Sequence, residues 1–113
     1  MDWILQISNN DNSIKDVLIK DNNIVLEIEL WSGEIKKIVF NNYKALKEKC
    51  SVGETIGDII VSTDSPLFNE SKVDILNADG SFEEVKKCKS YKFFSVWGDS
   101  MLLEVIAEAV EFI

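Results

Sequence analysis

The chain is 113 residues long, with 46% apolar and 28% charged residues and a net charge of −8. That length makes a single globular domain, 1–113, able to bury roughly two-thirds of the surface its unfolded form exposes. There is no His and no Arg, all twelve basic residues being Lys, so His-dependent catalytic triads and guanidinium recognition of phosphate are excluded.

The acids are unevenly placed. Residues 51–113 carry twelve acids and five lysines, against eight and seven in residues 1–50. Two stretches, 51–71 and 93–113, each hold four acids and no base. A field of that sign repels nucleic acid and anionic membrane and attracts a basic protein partner. No apolar run approaches the ~18–20 residues of a membrane span. The opening "MDWILQISNND" lacks a basic residue ahead of its apolar run, so the expected compartment is the cytoplasm. Cys50 and Cys88 are far apart and outside any CxxC pair. Two free thiols are expected, with no metal and no cofactor.

In chain order, "WILQI" (3–7) is a short apolar run stopped by the turn-forming cluster "SNNDNS". "IKDVLI" (14–19) follows, then a turn at "KDNN". "IVLEIEL" and "EIKKIVF" flank Trp31-Ser32-Gly33-Glu34 and predict a hairpin with Ser32-Gly33 as a two-residue turn. That register sets Leu30 against Ile35, Glu29 against Lys36 and Leu26 against Val39, and turns Lys37 toward the Leu26/Ile28 side. "NNYKALKEKC" reads as a polar segment with at most a helical turn.

"SVGETIGDIIVS" supports two readings. Ser51 and Glu54 have capping-box spacing ahead of helically spaced Val52, Ile56, Ile59 and Ile60. The glycines and β-branched residues weaken that helix, which leaves a strand at 56–61 as a nearly equal reading. Ser65-Pro66 reads as an N-cap followed by Pro at the first helical position. The helix it opens turns Leu67, Phe68, Ile75 and Leu76 to the core and ends at Ala78-Asp79-Gly80. "SYKFFSVW" predicts a strand. In "GDSMLLEVIAEAVEFI", Leu102, Ile106, Ala109, Val110 and Ile113 form one helical stripe with Glu104, Glu108 and Glu111 opposite. Periodicity there favours a helix over a return strand at 101–106, which would set Glu104 on the face of Leu102 and Ile106.

"VDILNADGSFEEV" (73–85) has the look of a calcium loop. With Gly80 at the sixth position, Asn77 and Asp79 fall on the third and fifth. The first position is then Ile75 and the twelfth Lys86, neither of which can serve. The segment reads as a helix stop with an acidic rim.

These elements predict an α+β domain, an antiparallel sheet of about four to six strands with one or two helices on one face. In length, acidity and this order of hairpin, middle helix and late aromatic strand, the chain resembles small acidic bacterial proteins of unassigned function, some of them immunity proteins that neutralise a toxin. The resemblance implies a non-enzymatic, protein-binding role and carries over no site residue. From the residues themselves, the expected partner surface is Asp99, Glu104, Glu108 and Glu111, with Asp58 and Asp64 as a second patch and Trp97 as anchor. A self-associating domain, as a homodimer through an exposed sheet edge, and a small-ligand-binding protein are the alternatives.

Overall fold

The computed structural model describes residues 2–78, 80–97 and 100–113, which form a six-stranded antiparallel sheet and three helices. The elements run α1 (Asp2–Ile7), β1 (Ser13–Lys20), β2 (Asn23–Glu29), β3 (Ile35–Glu48), β4 (Ile56–Ser62), α2 (Pro66–Asn77), α3 (Phe82–Lys87), β5 (Lys89–Ser95) and β6 (Met101–Phe112). The strand order is β1-β2-β3-β6-β5-β4. The fold is therefore α+β and mostly sheet.

The sheet curls until its two edge strands meet at one end. Ser13 bridges Thr55, the Ile14 N–H donates to Glu54 O, and the Ile56 N–H donates to Asn12 O at 2.8 Å. All six strands then turn apolar side chains into one interior, including Ile14, Leu26, Ile38, Phe40, Ile56, Tyr91, Phe93 and Val105. Removing such a side chain from water contributes about 1.5–3 kcal/mol. The short α1 lies on this inner side. Its Trp3 stacks on Phe93 with centroids 6.2 Å apart and tilts against Tyr91 at 6.3 Å, and Ile7 is wholly enclosed.

Helices α2 and α3 pack on the other side of the sheet, where Phe68, Ile75 and Val85 meet Cys88 and Ile106. The helices thus occupy both faces rather than one. Ser65 caps α2 as its sequence predicts, accepting from the Phe68 N–H at 3.0 Å, with Pro66 as the first helical residue. Ser81 caps α3 in the same manner, so 73–85 is a helix stop followed by a helix start. Its Asp79 lies outside the described residues.

Four expectations are corrected. The C-terminal segment is strand β6, not a helix. Residues Leu102 to Ala107 are all buried because β6 lies between β3 and β5 with apolar cover on both faces. Such a strand shows no clean alternation, and its Leu, Glu and Ala content then imitates a helical stripe. Residues 41–48 continue β3 rather than forming a helical turn, and 56–62 is a strand, leaving Ser51 in the preceding turn instead of capping a helix. Finally, the β2–β3 connection is the three-residue loop Trp31-Ser32-Gly33. Leu30 N–H donates to Glu34 O, and Gly33 sits at φ +90°, where only glycine is unstrained. The register moves by one residue, so Glu29 faces Ile35 and Glu27 faces Lys37. Lys37 is exposed beside Glu27, away from the Leu26/Ile28 side.

Candidate functional site

The acids expected to form the main partner patch and the second patch are dispersed. Glu104 is 3% exposed on the outer face of β6, beneath the start of α2. One carboxyl oxygen accepts from the Ser65 hydroxyl at 2.7 Å and from the Ser90 hydroxyl at 2.6 Å. Its cross-strand neighbours are Lys47 and Lys92. Glu104 therefore ties α2 to β5 and β6 from inside, with no surface for a partner.

Glu108 is half-buried nearby beside Lys44, whose ammonium lies 3.7 Å from it and 2.6 Å from Glu84. Burial by itself pulls the Lys44 pKa down, but the hydrogen bond and charge of Glu84, joined by Glu108, outweigh it and hold the ammonium above its ordinary 10.5. One Glu108 oxygen, Oε2, is buried without a hydrogen bond. Burial pushes up the adjacent Cys88 thiol, and it pushes up the Tyr91 phenol. Each shift moves its group away from the deprotonated, nucleophilic form. A cleft of about 270 Å³ opens beside Lys44 between the end of α2 and the start of α3, lined also by Ser71, Asp74, Ile75 and Glu84. Both cysteines are free thiols, Cys50 exposed and Cys88 buried. Among the described residues no cluster of acids and cysteines could hold a metal.

Glu111 is exposed at the far end of β6 and accepts from the Asn41 amide at 3.0 Å. Asp64 is exposed in the β4–α2 connection. Asp58 is exposed at the start of β4 and accepts from the Asn9 amide at 2.8 Å. Trp97, in the β5–β6 connection, is 87% exposed. Asp99 lies outside the described residues.

The backbone next to Asp58 and the backbone next to Trp97 both reach the seam where the sheet closes. The Asn9 N–H donates to Gly57 O, and the Val96 N–H donates to Thr55 O. The strands come so close there that a Cβ on Gly57 would lie 2.8 Å from Ser95 O and 2.9 Å from the Val96 Cα. Trp31 is tied to the same place. Asn12, buried at the seam, donates to Gln6 O and Ile7 O and accepts from the Trp31 N–H at 3.1 Å. Trp31 is 78% exposed and forms one wall of an open cleft of about 440 Å³, whose rim includes Asn9, Asn10 and Asp11. Val52 and Val96 are exposed as well, and among the described residues Asp11, Glu54 and Asp58 are exposed acids at or next to the seam.

The seam thus combines two exposed tryptophans, exposed aliphatics and carboxyls. Of the residues expected in the partner surface, Asp58 and Trp97 lie next to the seam, while Trp31, expected from its place beside a turn to be exposed, joins Asn12 and Thr55 there only through closure of the sheet. The Lys44 network was missed for the same reason, since Glu84 and Glu108 reach it from separate elements. No family model, no curated protein and no solved structure matches the chain. Among the described residues no helix is long and apolar enough to cross a membrane.

Proposed function

We propose that this chain is a non-enzymatic protein-binding domain that presents the seam to a basic protein partner. The observation that carries this reading is the exposure of Trp31 and Trp97 beside one acidic seam, since tryptophan is enriched among the residues that anchor protein interfaces. The exposed acids Asp11, Glu54 and Asp58 steer a positive surface toward the anchors, and Asp64 and Glu111 add to the same long-range field. A toxin whose own nucleic-acid groove is positive has the complementary surface, so the finer reading is an immunity-type protein acting in the cytoplasm. Two unpaired thiols suit that compartment. A non-catalytic role accords with a cationic Lys44 and with thiol and phenol groups held protonated.

The test is to capture partners on the tagged protein and measure association rates at low and high salt. Trp97→Ala and Trp31→Ala should each weaken binding by roughly tenfold or more, the 1.4 kcal/mol or greater of an anchor residue. Asp58→Lys should slow association mainly at low salt. A partner that binds both tryptophan variants as tightly as the parent would refute the seam as the site.

A further inference from the structure

The seam covers only the first residues of β1, and the rest of that strand is an open sheet edge. Among the described residues, Lys15–Lys20 make no backbone hydrogen bond to another strand except β2. The Val17 N–H points off this edge and donates to the carboxyl of its own neighbour Asp16 at 2.8 Å. Bonding direction alternates along a strand, so the N–H and C=O of Ile19 point the same way. Leu18 and Ile19 are 45% and 57% exposed.

We propose that two copies of the chain pair through β1, antiparallel about a two-fold axis at Leu18. Three registers let outward-pointing residues face each other, centred on Val17, Leu18 or Ile19. Centring on Ile19 sets Leu18 against Lys20, and centring on Val17 sets Asp16 against Leu18. Centring on Leu18 sets Val17 against Ile19 in both directions, each exchanging N–H and C=O, and sets Asp16 against Lys20 twice. The edge is self-complementary in charge in this register alone.

Pairing moves the Val17 N–H from Asp16 to the carbonyl of the second copy's Ile19 and frees Asp16 for the second copy's Lys20. Leu18 meets its own equivalent. It also heads a cross-strand row with Val25 and Val39 on the outer face of the sheet, so the two apolar rows join end to end. An interface of one strand per copy is small, and its dissociation constant falls in the micromolar range, of order 1–100 μM.

Sedimentation velocity of the full chain, over a concentration series spanning that range, should show a monomer–dimer equilibrium. Asp16→Lys alone sets lysines against Lys20, and Lys20→Asp alone sets aspartates against Asp16. Each should weaken the dimer by about tenfold or more. An equimolar mixture of the two variants restores both opposite-charge pairs and should dimerise like the parent, as should the double variant D16K/K20D. Circular dichroism checks that each variant is folded. A parent that stays monomeric throughout overturns the proposal, as do single variants that dimerise unchanged or a mixture that fails to recover.

Discussion

Glu104 on β6 and Ser65 at the cap of α2 are joined by a 2.7 Å hydrogen bond across 39 positions of sequence. The same carboxyl oxygen holds Ser90 of β5 at 2.6 Å. A polar group this deep is tolerable only when its partners are in place. The contact thus specifies where α2 begins on the sheet as well as stabilising it.

Removal of that carboxyl should show how much depends on it. Glu104→Ala leaves two hydroxyls in a closed site with a void between them and should cost about 2–4 kcal/mol. Glu104→Gln keeps the volume and an acceptor oxygen, and should cost about 1 kcal/mol. Urea denaturation with an unchanged slope measures both. An alanine variant as stable as the parent would show that the contact contributes nothing.

Lys44 supplies a pH-dependent counterpart. Its ammonium is raised above the ordinary 10.5, so its contribution is full below that value and fades as pH rises through the higher folded-state pKa. Lys44→Met should lose about 1–3 kcal/mol near neutrality, because Glu84 and Glu108 are left crowded and unpaired. The stability gap between parent and variant should then narrow at strongly alkaline pH. A gap that is constant across the alkaline range contradicts this account of the pair.

The cysteines should separate by rate. Cys50 is exposed and should react with a thiol reagent at once, while Cys88 is 1% exposed with its thiol pushed up by burial. Its modification should wait for local opening and accelerate with denaturant. Cys50→Ser should leave only the slow phase. Two fast equivalents in the native protein would mean that the α3–β5 junction is open.

Gly57 tests the seam itself. Alanine there drives a methyl group against the Ser95 carbonyl and the Val96 Cα. Backbone has to move to relieve it, at a cost of about 1–3 kcal/mol. Gly57→Ala should lower the unfolding midpoint and shift amide resonances of 9–12 and 95–97 together. Changes confined to β4 would show that the seam is not one unit.

Local chemistry was readable directly. Ser65 and Pro66 mark the start of α2 because a hydroxyl cap and a residue without an N–H satisfy the first turn from within the sequence. The β2–β3 hairpin and strand β5 were legible from alternation and aromatic content, as was the end of α2 before Gly80. The hairpin register was off by one, since Trp31-Ser32-Gly33 permits either loop length and only the pairing with the rest of the sheet chooses between them.

By itself the sequence determined the class of the fold, the negative field, the absence of imidazole and guanidinium chemistry, and the helix that opens at Ser65. The tertiary structure alone decided that 101–112 is a central strand, that Glu104 is an internal tie, and that the backbone at or next to Trp31, Trp97 and Asp58 converges on one seam. The physical reason is range. Caps, turns and net charge are set by neighbours along the chain, whereas burial on two faces and closure of a curled sheet are set by residues tens of positions away.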